Sequence, residues 1–209
     1  MIVISVDFGQ KGLAYCVADA AQYPPVIRAL TLLPDTGKIN TAERAVRVAV
    51  SLYRGMPPAD VYVLEAQPAI NRMTLMLECA LAAAIAIGAP SARVVHLSVA
   101  SVKREFALPT GHNAKKLAAT DVACTLLRNA TETLIGSPDV LTCMIESPRR
   151  HDMADAMLMA MWYARKVNGR LKHGLTRKTT LPAVAASSDV YRPANKKRKR
   201  LVVTKRRKK

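Results

Sequence analysis

The chain has 209 residues, a formal net charge of +17 and an apolar half, with aromatics at only 4%. That size suits one ordinary domain, or one domain with a tail, with a core built from Ala, Val, Leu, Ile and Met. The longest apolar run, residues 79–90, is too short to cross a bilayer, and the four cysteines form no C-x-x-C pair and have no histidine cluster beside them, so neither a membrane span nor a zinc site is expected.

The start, MIVISVDFG, is apolar but has no basic leader region and meets an acid at Asp7, so no signal peptide is expected. Residues 2–7, IVISVD, are β-branched and predict a buried strand. Gly9 and Gly12 mark a turn, and residues 13–19, LAYCVAD, return as the second arm of a hairpin. After Pro24 and Pro25, residues 26–33 supply a third strand. Residues 41–53 predict a helix with Ala45, Val48, Ala49 and Leu52 on one face and Thr41 near its N-cap. Residues 60–65, DVYVLE, predict a strand that ends in an acid. A helix over 71–87 follows, apolar on nearly every side, which predicts burial both in its own core and against something else. Residues 93–97 predict one more strand, and residues 114–130 and 152–166 two more helices.

The resulting order, β-β-β-α-β-α-β-α-α, predicts an α/β plan in which a hairpin-rich half leads into crossover units. Each of Cys16, Cys79, Cys124 and Cys143 lies in an apolar stretch and is expected as a buried free thiol, which fits a reducing intracellular compartment. Residues 173–209 turn to Thr, Pro, Ser and Ala and then to a basic run, and predict a flexible linker and tail behind a domain of residues 1–172. Residues 196–209 carry ten Lys or Arg and no acid, leaving 22 basic and 15 acidic residues for the rest, so the body is basic too. Such a charge seeks polyanions, nucleic acid first.

Four acids stand where this plan converges. Asp7 closes the first strand and Glu65 the fourth; Asp152 and Asp155, three apart, share one side of the last helix. Gathered carboxylates repel unless a cation sits among them, and oxygen-only ligands favour Mg2+, with Mn2+ as the alternative. Ordinary roles compete with this reading: Asp152 as an N-cap with Asp155 favouring the helix dipole, and Asp7 as a turn residue. Glu65, directly after VYVL, is the hardest to explain that way, because a buried charge is costly unless paired.

The segments ISVDFGQKGLAYCV, VYVLEAQP and HDMADAMLMAMWYA, with SVASVKREF and HNAKK between them, resemble in the same order the motifs of the Holliday junction resolvases of the ribonuclease H-like superfamily. The resemblance is greatest to the poxvirus type, a relative of bacterial RuvC, and covers residues 1–166. It implies a ribonuclease H-like mixed sheet flanked by helices and a metal site of two ions at Asp7, Glu65, Asp152 and Asp155. It further implies catalytic roles for Lys103 and for Lys115 or Lys116, between which it does not choose. The implied reaction is paired, Mg2+-dependent cutting of four-way DNA junctions by a homodimer, for which the helix over 71–87 is the candidate interface. Intracellular placement goes with it: a host cytoplasm for a poxviral protein, or a nucleus if the basic tail is a localisation signal. Another ribonuclease H-like nuclease, acting on RNA–DNA hybrids or other branched substrates, and a non-catalytic basic DNA-binding protein remain the alternatives.

Overall fold

In a computed structural model of the chain, residues 1–9, 12–33, 37, 39–130 and 138–172 are described. The expected linker and tail, residues 173–209, lie outside the described residues. Strands β1 (Ile2–Gly9), β2 (Gly12–Asp19) and β3 (Val26–Leu32) form an antiparallel meander. Helix α1 (Ala42–Gly55) leads to β4 (Val61–Glu65), and α2 (Arg72–Gly88) leads to β5 (Arg93–Leu97). Both later strands run parallel to β1, giving the sheet order β3-β2-β1-β4-β5. Helices α3 (Val99–Glu105), α4 (His112–Ala130), α5 (Pro138–Glu146) and α6 (Arg150–Lys172) complete the described chain.

Strand alternation divides the core in two. Ile4, Val6 and Phe8 of β1, with Tyr62 and Leu64 of β4, face α1 and α2. Val3 of β1, with Val61 and Val63 of β4, faces α4, α5 and α6. The sheet is thus a middle layer between two helical layers. Thr41 caps α1 as expected, its hydroxyl accepting from the Arg44 backbone N–H at 3.1 Å.

Two expectations need correcting. Helices α3 and α5 are absent from the sequence reading, because each is too short to show a helical period; their end signals, Ser98 accepting from the Ala100 N–H at 3.3 Å and Pro138 as the first residue of α5, were the available clues. Cys16 and Cys124 are buried, but Cys79 and Cys143 are exposed, Cys79 on the outer side of α2 and Cys143 where its thiol lies 3.7 Å from the Leu30 carbonyl of β3. The helix buried on nearly all sides within the chain is α6: Met153, Ala154, Ala156, Met157, Leu158, Ala160 and Ala164 are sealed between sheet and helices. In α2 only Leu77, Glu78, Leu81 and Ile85 are buried, while Cys79, Ala83, Ala86 and Ile87 are exposed. No helix among the described residues is long and apolar enough to cross a membrane.

Candidate active site

The period of two that builds the core also aims the acids. Asp7 has the parity of Val3 and Ser5, and Glu65 that of Val61 and Val63, so both point toward α6. Val6 lies opposite Leu64 in the parallel ladder, which makes Asp7 and Glu65 the next residues of neighbouring strands. Below them the Ser5 hydroxyl donates to the Ala156 carbonyl at 2.6 Å, fixing β1 to α6 just beyond Asp155. Small residues at 154, 156 and 160 let the helix lie close on the strands.

Asp7, Glu65 and Asp155 line one small cleft together with Lys103, Lys115, Val102 and Met159. Asp152 is buried one turn earlier on α6; it is the third residue of that helix, not its N-cap. Burial pushes the Asp7 carboxyl well above the usual range, and the charges of Glu65, Asp155 and Asp152, with a hydrogen bond shared with Glu65, push the same way. Asp155 is also raised, first by burial, with Lys115 pulling it back and Glu65 and Asp152 adding to the rise. Asp7 and Asp155 are thus each close enough to the other acids to feel their charge.

Each acid has protein partners. Glu65 Oε2 accepts from the Gln67 side chain at 2.9 Å and from the Phe8 backbone N–H at 3.3 Å. Lys115 Nζ stands 3.5 Å from Asp155 Oδ2. Asp152 is ion-paired with Arg149 and lies 3.2 Å from His151 Nε2. Lys116 takes a different direction from Lys115, its Nζ lying 3.0 Å from that same His151 Nε2. The nitrogen can accept from Lys116 or donate to Asp152, not both. Burial lowers the His151 pKa, ahead of the opposing pull of Asp152.

Lys103 reaches the cleft because α3 is anchored behind it. Glu105 pairs with Arg165 at 2.6 Å and with Lys166 at 3.1 Å, tying α3 to α6. The Leu108 N–H closes the helix end on the Lys103 carbonyl at 2.9 Å.

The sequence reading missed Arg149, His151 and Gln67. Arg149 donates to the Gly12 carbonyl at 3.1 Å as well as pairing with Asp152. A side chain at Gly12 would place its Cβ 1.8 Å from the Arg149 guanidinium, so the glycine turn is shaped around that arginine. Arg149 and His151 flank Asp152 in sequence, and Gln67 follows Glu65 by two; proximity to the acids was the only signal for any of them.

The donor set fits a hard divalent cation: four carboxylates, oxygen only, strained by their own repulsion. Among the described residues no three His, Cys, Asp or Glu side chains are arranged as a finished metal-holding group. Arg149 and Lys115 instead occupy positions beside Asp152 and Asp155 where positive charge is wanted.

No protein-family model matches the chain, and no curated protein sequence matches it. Solved structures do. The yeast mitochondrial Holliday junction resolvase Ydc2 is 17% identical with a TM-score of 0.57, over 82% of this chain and 82% of that one. The fowlpox virus Holliday junction resolvase is 16% identical with a TM-score of 0.55, over 80% of this chain and 99% of that one. The fowlpox virus resolvase in complex with Holliday junction DNA is 17% identical with a TM-score of 0.54 over the same shares. The chain therefore has the α/β, ribonuclease H-like fold of the Holliday junction resolvases, the fold its sequence motifs resemble.

Proposed function

We propose that the chain is a metal-dependent endonuclease that resolves four-way DNA junctions. The observation that carries this reading is the convergence of Asp7 from β1, Glu65 from β4 and Asp155 from α6 on one cleft that also holds Lys103 and Lys115, with Asp152 beside it. The fold, shared with resolvases from yeast mitochondria and fowlpox virus, supports the substrate class.

In this mechanism Asp7, Glu65, Asp152 and Asp155 would hold divalent cations, Mg2+ or Mn2+, two per site. When bound, such ions supply an activated water and charge neutralisation for phosphodiester hydrolysis. The carboxylates orient the attacking side in line with the scissile bond. Lys103 and Lys115 bring positive charge into the same cleft, where charge grows on the phosphate. Lys115 takes this role in preference to Lys116, because it lines the cleft while Lys116 lies against His151. The products are a 5′-phosphate and a 3′-hydroxyl.

A junction has two strands to cut symmetrically, so a C2 homodimer supplies the second site. The exposed small and apolar face of α2, formed by Cys79, Ala83, Ala86 and Ile87, supports that helix as the interface. Residues 1–172 constitute the catalytic domain, and the basic run within 173–209 adds DNA affinity that is blind to structure.

The test is cleavage of a synthetic four-way junction, a linear duplex and an RNA–DNA hybrid with Mg2+ or Mn2+. Paired nicks confined to the junction are expected. Asp7→Asn, Glu65→Gln, Asp152→Asn and Asp155→Asn should each lower the rate by more than about 100-fold while junction binding persists. Preferential cutting of the hybrid, or metal-independent binding without cutting, would reject junction resolution.

A further inference from the structure

From Met73 to Gly88, α2 contains one charged residue, Glu78, and it is buried at 3% exposure. A carboxylate in that position is costly unless it is fully partnered. Both its oxygens are engaged. Oε2 accepts from the backbone N–H of Gln67 at 2.7 Å, and Oε1 lies 2.6 Å from Nδ1 of His96. A carboxylate accepts, so Nδ1 carries the proton in this pair. Strand alternation explains how His96 reaches it: Val95 and Leu97 of β5 face the α6 side, which turns His96 toward α2.

Gln67 is the residue that links this buried pair to the cleft. Its backbone is held by Glu78, and its side-chain amide donates to Glu65 Oε2 at 2.9 Å. The Phe8 N–H donates to the same oxygen at 3.3 Å, leaving Oε1 of Glu65 outside these two bonds. Pro68 follows directly and confines Gln67 to extended backbone, so the segment between β4 and α2 has little freedom except what Glu78 removes. Without the link, Glu65 would rotate at the end of its strand under repulsion from Asp7.

We infer that Gln67 is a positioning residue that fixes the Glu65 carboxylate, and that the buried Glu78–His96 pair serves to hold Gln67 in place. The inference rests on Glu65 being a cation ligand, as proposed above. Positioning groups behind a ligand typically change cation affinity or activity by 10–100-fold.

The experiment measures Mn2+ binding to the full chain without DNA, by electron paramagnetic resonance, for the wild type, Gln67→Met, Gln67→Ala, Glu78→Gln and Asp7→Asn. Gln67→Met keeps the length and the backbone bond and removes only the donor; Glu78→Gln keeps the shape and removes the carboxylate that accepts from both partners. Each, with Gln67→Ala, should weaken Mn2+ by about 10-fold or more while the melting temperature of the Gln67 variants stays near wild type. Junction cleavage should lose kcat at unchanged KM. If Glu78→Gln fails to fold, the two Gln67 variants decide alone. Loss of Mn2+ in Asp7→Asn with wild-type binding in the Gln67 and Glu78 variants would overturn the positioning role and leave the metal site standing. Wild-type Mn2+ binding in Asp7→Asn would overturn the metal site, and the positioning role with it.

Discussion

Asp7 sits on a central strand with 6% of its surface exposed, facing three other carboxylates. Its raised pKa means that the folded chain disfavours its ionised form. The linkage then has a definite sign: the stability that goes with protonated Asp7 is present at and below the unfolded value near 4 and is lost as pH rises through the higher folded value. An asparagine at this position has nothing to titrate. In the presence of a chelator, Asp7→Asn should therefore melt at a higher temperature than the wild type at pH 7, and the gap should narrow on lowering the pH toward about 4. Thermal unfolding followed across that range checks it; coincident curves at pH 7 would show that burial and repulsion at Asp7 do not weigh on folding. A gain in stability on losing the proposed catalytic residue is what a site that stores repulsion for a cation requires. This much was partly legible: Asp7, Glu65, Asp152 and Asp155 stand out in sequence as acids at element ends. The identities of Gln67, Arg149 and His151 as their partners were not, because a hydrogen bond between residues on different elements leaves no periodic trace.

Helices α2 and α6 illustrate the same limit for elements. Both are rich in Ala, Leu, Ile and Met, and hydropathy alone makes α2 the more buried of the two. The reverse holds among the described residues, because α6 lies between the sheet and α4 and α5 whereas α2 packs mainly on α1, with one face toward the sheet. On its inner side Leu77 is core and Met76 packs against it. The exposed stripe is Cys79, Ala83 and Ala86. Ala83→Glu should leave the stability of the single chain within about 0.5 kcal/mol of wild type, as surface changes usually do. Sedimentation should then show the proposed dimer split into monomers that nick one strand of a cruciform plasmid without linearising it. Leu77→Glu should instead unfold the chain, since it buries an unpaired charge. A wild-type protein that sediments as a monomer both free and on junction DNA would remove the dimer.

For the whole molecule, charge has two locations with different work. The folded body brings Lys103 and Lys115 to one cleft, while ten of the 32 basic residues lie in residues 196–209. Counterion release makes the logarithm of affinity fall by about 0.9 per phosphate neutralised for each decade of salt on duplex DNA. Deleting residues 196–209 should weaken binding to junction and linear duplex alike and flatten the salt dependence of both. The ratio of the two affinities should persist, because shape is recognised by the folded body. Filter-binding isotherms over a salt series measure both quantities; a ratio that collapses toward one after the deletion would assign junction recognition to the tail.

The sequence by itself determined the strand and helix order of the larger elements and the acids that stand at element ends. It could do so because a period of two or of 3.6 is a local property, written into neighbouring residues. Short α3 and α5 escaped for the same reason, since seven and nine residues hold too few repeats to announce a helix. Only the tertiary structure decided that Lys115 and not Lys116 lines the cleft, that α6 and not α2 is enclosed within the chain, and that Glu78 reaches Gln67 across the space between a helix and a strand end. These are relations between residues distant in sequence, fixed by how the layers pack on the sheet, and no single stretch of the chain contains them.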